Sequence, residues 1–254
     1  MSTRIALAAT TFVLGLLGAA SAAAQDADSG WHVRLTPYLW VTGVSGDVTA
    51  PYPLPGREVS ADFGDLLDHL DGAFLGTADV RYDRVGVVGD LLYLAVSGGK
   101  TRNPTNLPTI GTKVKITTTS ATLAGYYRVY DTERGSFDLL GGLRYNDFET
   151  KLNATVGGPG VGRKVSKDWT VPVVGVRGSM HTGPRGSVTG YADYGGFGIN
   201  DTTVWQVLGT YNYQWKENIG VVAGLRYWHL GLDKPVLDTD LDIFGPLVGV
   251  TFAF

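Results

Sequence analysis

Alternation with a period of two runs through this chain and constrains its fold more than any other feature. Over residues 241–254, Phe244, Pro246, Val248, Val250, Phe252 and Phe254 share one parity, whereas Gly245, Gly249, Thr251 and Ala253 share the other. Successive strand residues point to opposite faces, so such a segment has one greasy face and one small or polar face. Residues 31–42 repeat the pattern: Trp31, Val33, Leu35, Pro37, Leu39 and Val41 oppose His32, Arg34, Thr36, Tyr38 and Trp40. Comparable segments recur near 74–82, 85–93, 120–129, 137–146, 169–177, 188–194, 205–215 and 221–228. Each holds about the ten residues that cross a bilayer obliquely as a barrel strand, with charges on one parity in most of them. Segment 169–177 is ambiguous, because Arg177 shares a parity with Trp169, Val171 and Val173.

The beginning of the chain points to export. Arg4 precedes an apolar run, 5–17, and small residues 20–24 follow before Gln25 and Asp26. This is the pattern of a secretory signal peptide cleaved after Ala24 or Ala22, which leaves residues 25–254 as one barrel domain. No later apolar run is long enough for a spanning helix. The absence of cysteine excludes a lipoprotein anchor and a disulfide framework. Abundant Gly, Tyr, Thr and Val, without a sustained window of helix formers, argue for an all-β fold. A net charge of −3 gives no nucleic-acid footprint.

Connection lengths test the barrel reading independently. Reading back from a periplasmic C-terminus, the links 215–218, 181–186, 131–135 and 82–85 fall inside and are short; 43–71, 98–112, 152–166 and 231–238 fall outside and are longer, and only the outer link 198–203 is compact. With both termini periplasmic the parity closes at about ten antiparallel up-and-down strands. Twelve follow if 57–63 pairs as a full strand, and eight if two segments fail.

The aromatic ending resembles the terminal strand that the barrel-insertion machinery reads in bacterial outer-membrane barrels, with Phe252 and Phe254 as the signal. Further motifs carry a wider resemblance: Pro37-Tyr38-Leu39-Trp40, Asp65-Leu66-Leu67-Asp68 followed by Leu70-Asp71, Gly195-Gly196-Phe197-Gly198 with Trp205-Gln206, Gly224-Leu225-Arg226-Tyr227-Trp228, and Gly245-Pro246. Together they resemble an uncharacterised family of small outer-membrane barrels whose architecture is similar to OmpW-like and OmpA-type proteins. The resemblance implies a transmembrane β-barrel in the Gram-negative outer membrane and no assigned reaction. Ile199-Asn200 stand where a further glycine is usual in that family.

Trp31, Tyr82, Tyr127, Tyr145, Trp169, Tyr213, Trp215 and Tyr227 suit interfacial girdles. Asp79, Arg81, Asp90, Arg128, Asp138, Arg144, Asp193 and Arg226 are the lumen-lining candidates. In a barrel this narrow they form either an Asp/Arg plug or the walls of a water-filled path, because an unpaired buried charge costs several kcal/mol. Asp62, Asp65, Asp68 and Asp71 recur around leucines and predict a short helix in the first outer loop, with carboxylates facing out. Pro37 and Pro246 mark the closing seam between the last and first strands. There the missing amides leave a weakened ladder that an apolar solute could enter sideways.

Catalysis and cofactors have little support. His69 beside Asp68 and Asp71 is faintly similar to the acidic and histidine groups of barrel proteases. His229 resembles the histidine of lipid A deacylases, but Gly231 stands where their serine would be. No cofactor loop, metal-ligand spacing or P-loop is present. The expectation is a monomeric, non-enzymatic barrel: a narrow pore or structural envelope component in contact with outer-membrane lipid and lipopolysaccharide. The alternative is an outer-surface interaction protein that uses loops 43–71, 98–112 and 152–166.

Overall fold

The computed structural model describes residues 30–49, 57–61, 70–102, 110–156, 160–232 and 238–254. It contains β1 (Trp31–Trp40), β2 (Gly43–Thr49), β3 (Arg57–Ala61), β4 (Leu70–Tyr82), β5 (Val85–Arg102), β6 (Ile110–Thr132), β7 (Gly135–Val156), β8 (Val161–His181), β9 (Gly186–Gly195), β10 (Thr202–Lys216), β11 (Ile219–Leu232) and β12 (Asp238–Ala253). β1 pairs with β4, each later strand pairs with the next, and β12 returns to β1, so ten antiparallel strands close a barrel. β2 prolongs β1 along the far half of β12, and β3 pairs with β2 alone. Of the expected strand 57–63, the described residues Arg57–Ala61 therefore supply an appended hairpin strand rather than a further stave. The helix expected at Asp62, Asp65 and Asp68 lies outside the described residues, as do His69 and the signal segment, and Asp71 belongs to β4.

Closure depends on glycine at two places where strands come unusually close. A Cβ on Gly245 would stand 1.9 Å from the Val41 carbonyl oxygen, and one on Gly249 would stand 2.7 Å from that of Pro37. The two seam prolines do not sit at one height. The β1–β12 register sets Pro246 opposite Val41 and Pro37 four positions away, opposite Val250. The Val33 and Val41 amides donate to β12, so Pro37, of the same parity, lacks a donor towards that strand. Side chains stitch the seam: Trp40 Nε1 donates to the Gly245 carbonyl at 3.2 Å, Thr42 Oγ1 to that of Phe244 at 3.2 Å, and the Thr36 and Thr251 hydroxyls meet at 2.9 Å.

Leu39, Leu123, Leu139, Leu143, Val174, Val207 and Leu225 are exposed on the outer face. Closure pairs the strand edges around this belt, with Pro37 as an interruption at the seam, and so meets the requirement for lipid contact. Trp31, Tyr82, Tyr127, Tyr213 and Trp215 lie exposed at one end. Trp169 departs from expectation: it is buried inside the barrel, where it stacks on Phe148 at 5.5 Å.

The strands differ greatly in length. β5, β6, β7 and β8 have 18, 23, 22 and 21 residues, whereas β1 and β9 have 10. The described residues of the expected loops 98–112 and 152–166 are therefore nearly all strand. Their ladders run to Arg102 opposite Ile110 and Ala154 opposite Val161, and they raise a four-stranded wall beyond the rest of the barrel. Threonine and valine repeats favour extended pairing here over loop structure.

Candidate functional site

The lumen is layered along the barrel axis. At the end with the short turns lies a cavity of about 660 Å³, bordered by Asp131, Gly135 and Arg185 at its mouth and by Tyr38, Asp90, Gln206 and Arg226 at its floor. On its wall β4, β6, β7 and β8 bring together the first charge cluster. Arg177 Nε donates to Asp138 at 2.9 Å and Arg177 Nη1 to Asp79, while Arg128 Nε donates to the other Asp138 oxygen at 2.8 Å. The Tyr126 hydroxyl donates to Asp79 at 2.9 Å, and its ring lies 4.4 Å beneath the Arg177 guanidinium. Arg81 lines the same cavity but turns away from this cluster to donate to the Asp83 carbonyl at 2.7 Å.

A second cluster crosses the barrel above the cavity. Arg226 of β11 donates from Nε and Nη2 to Gln206 Oε1 at 2.9 and 2.6 Å, from Nη2 to Asp90 at 3.0 Å, and from Nη1 to the Tyr38 hydroxyl at 2.5 Å. Tyr38 passes the connection on to Asp90 at 3.0 Å. Gln206 Nε2 donates to Asp193 at 2.5 Å, and Asp193 also accepts from Tyr191 at 2.6 Å and from Arg144 Nη2 at 2.6 Å. Arg144 and Asp138 are each only 1% exposed, and Asp193 and Arg226 only 5% and 6%. Such burial is tolerable for ions only when their hydrogen bonds are nearly complete. Four buried atoms here lack a protein partner: Arg144 Nη1, Asn146 Nδ2, Trp169 Nε1 and Asp193 Oδ1.

Above this layer the lumen is apolar. Trp40, Leu92, Trp169, Val171, Val173, Val204, Trp228 and Leu230 form one buried cluster, with Val171 and Val204 fully inaccessible. Trp40 also lies 5.0 Å from the Arg226 guanidinium, so the apolar layer rests on the charged one.

The structure thus brings seven of the eight lumen candidates into two networks and leaves Arg81 apart. Sequence reasoning missed Arg177, which joins Asp79 to Asp138. Its parity follows Trp169, Val171 and Val173 because that whole face points inward, and the ambiguity disappears once the far half of the lumen is apolar. The neutral linkers Tyr38, Tyr126, Tyr191 and Gln206 carried no charge signal. The seam candidates Pro37 and Pro246 face outward and are exposed, as are Phe252 and Phe254, with Phe254 exchanging backbone hydrogen bonds with Val33.

Residues from four of the five quoted motifs meet at this closure, whereas Asp65, Leu66, Leu67 and Asp68 lie outside the described residues. Tyr38 and Trp40 come from the first, Gln206 from the Trp-Gln pair, Arg226 and Trp228 from the fourth, and the Gly245 carbonyl holds the Trp40 indole. Gly196 has φ 102° and donates to the Pro172 carbonyl at 3.2 Å, fixing the turn before the short 3-10 segment Ile199–Asp201.

On the exterior, His229 Nδ1 lies 2.8 Å from Asp242 and 3.5 Å from Asp240, and Trp205 stacks on the imidazole. These three groups place ligand-type atoms within 4.8 Å of one another, a juxtaposition across β11 and β12 that linear spacing does not reveal. A Cβ on Gly231 would stand 3.5 Å from His229 Nε2, so a side chain at this position would lie beside the imidazole.

No protein-family model matches the chain, and no curated protein does. Solved structures do match. The outer-membrane protease OmpT from Escherichia coli superposes with a TM-score of 0.55 at 10% identity, covering 88% of this chain and 97% of that one. The translocator domain of the autotransporter NalP from Neisseria meningitidis gives 0.49 at 14% identity, covering 98% of both chains. Ail, the attachment invasion locus protein of Yersinia pestis, gives 0.36 at 13% identity, covering 89% of this chain and 99% of that one. At such identities the likeness concerns the fold, which is that of a Gram-negative outer-membrane β-barrel. The short turns are then periplasmic and the tall wall stands outside, the usual asymmetry of these barrels.

Proposed function

We propose that this protein is a non-conducting outer-membrane barrel, a structural element of the envelope that works through the surface it raises outside the cell. The observation that carries this reading is the double closure of the lumen: a cross-barrel Arg144–Asp193–Gln206–Arg226–Asp90 chain, capped by the Trp40–Trp169–Trp228 layer. A narrow pore needs a continuous wetted path, and the periplasmic cavity ends beneath Arg226. The convergence of motif residues on this closure supports the resemblance to a family of small outer-membrane barrels.

The outer-surface role is favoured by the wall itself. A strand of about ten residues suffices to span the membrane, and β6 has 23. Continued pairing that far from the membrane rigidifies a surface which the barrel does not need for stability. Planar-bilayer recording of the folded protein tests the first statement: it predicts no steps above baseline.

A further inference from the structure

The wall carries a charge pattern that closure of the barrel does not use. Lys115 of β6, Lys151 of β7 and Lys164 of β8 stand directly opposite one another in adjacent ladders. They share the outward parity of Leu123, Leu143 and Val174, all more than half exposed. Directly opposed residues on one sheet face hold their Cβ atoms about 5 Å apart, and like charges so placed are destabilising. Lys113 continues the lysines one step further out on β6.

Two carboxylates offset part of this charge. Glu149 receives Lys151 Nζ at 2.5 Å and Lys164 Nζ at 2.6 Å, and Asp71 receives Lys115 Nζ at 2.8 Å and Ser97 Oγ at 2.8 Å. The three paired lysines keep 39%, 39% and 47% of their side chains exposed, so each side chain remains accessible from outside. Nearer the membrane Asp147 and Asp168 oppose each other on the same face, and they repel an anion from that level. An anionic group is thereby confined to the lysine row.

Height above the belt identifies the source. Tyr93 and Phe74, opposite each other and exposed, mark the outer aromatic level, and Thr119 continues their row on β6. Lys115 lies four residues beyond Thr119. At about 3.3 Å per residue and a tilt near 40°, that is about 10 Å above the aromatic level, where lipid headgroups lie.

The geometry points to the outward lysine row Lys115–Lys151–Lys164 as a binding site for the phosphate of a phosphorylated lipid headgroup in the outer leaflet. The ligand supplies the negative charge by which Asp71 and Glu149 fall short of three opposed lysines, and the acidic pair below sets its depth. This site deepens the outer-surface reading but does not depend on the lumen being closed.

The test measures binding of purified lipopolysaccharide to the full chain folded in detergent, alongside dephosphorylated lipopolysaccharide and the delipidated phosphorylated oligosaccharide. Dephosphorylation is expected to weaken binding at least tenfold, as is the triple substitution Lys115→Gln, Lys151→Gln, Lys164→Gln. Glu149→Gln, which releases two lysines, is expected to tighten binding a few-fold, a gain that misfolding cannot imitate. Equal affinity for the dephosphorylated lipid, an unaffected folded triple variant, or a Glu149→Gln variant that binds no tighter would each overturn the assignment. Oligosaccharide binding as tight as that of the whole lipid would also overturn it, because the site would then serve a soluble glycan rather than the leaflet.

Discussion

Arg144 shows how much a single buried ion commits its neighbours. Its guanidinium spans from Thr122 at 2.8 Å to Asp193 at 2.6 Å with almost no exposed surface. Arg144→Ala leaves the Asp193 carboxylate buried with only neutral partners, so urea titration of the folded barrel should show a loss of about 3–5 kcal/mol. Replacing both ions by apolar residues, Arg144→Met with Asp193→Leu, should recover most of that loss, since no uncompensated charge remains. The exposed carboxylates of the wall make a different contribution. Hydrogen bonds from Lys115 and Ser97 hold Asp71 below the ordinary carboxylate range, and Lys151 and Lys164 do the same for Glu149. Groups with lowered folded pKa values add stability that is present above the unfolded pKa and lost as pH falls through the folded one. Amide protection in the wall strands, taken relative to the intrinsic exchange rate, should therefore fall below about pH 4 while the barrel belt stays protected. Uniform protection down to pH 2 would contradict this.

At the scale of the element, the closing seam joins the strands most distant in sequence and leaves little room for substitution at its glycines. Gly245→Ala drives a methyl group against the Val41 carbonyl, and backbone cannot yield there without parting β1 from β12. The variant should lose heat-modifiable migration, whereas Gly190→Ala, which meets nothing within 4 Å, should keep it. Pro37→Val restores an amide facing Val250 and should add about 0.5–1.5 kcal/mol, read as slower hydrogen exchange along β12. Strand existence and the short turns were legible in the sequence because alternation survives wherever one face meets lipid. The tall wall was not: beyond the membrane both faces of β6 meet water, the hydrophobic signal fades, and threonine-rich strand reads like loop. Trp169 was misplaced, and the segment of Arg177 left ambiguous, for a related reason. A lumen that turns from polar to apolar along its axis breaks the rule that greasy residues face out.

For the whole molecule, the layers combine into one arrangement: a periplasmic cavity, a charged partition, an apolar cap and an outward wall. Barrels of this size enclose little more than their own side chains, and here the outer half of the interior is packed like a soluble core. The lumen candidates could be named from parity alone, because ionised groups avoid lipid. Whether they plug or conduct depends on cross-barrel partners such as Tyr38 and Gln206, which parity cannot pair. The most direct measurement is single-channel recording of the folded protein in a planar bilayer, with an Arg144→Ala, Arg226→Ala variant beside it. A silent wild type, and a variant that stays silent because the tryptophan layer still seals the outer half, is the predicted result. Discrete wild-type openings whose ion selectivity shifts in the variant would contradict it and would make the arginine layer the wall of a conducting path.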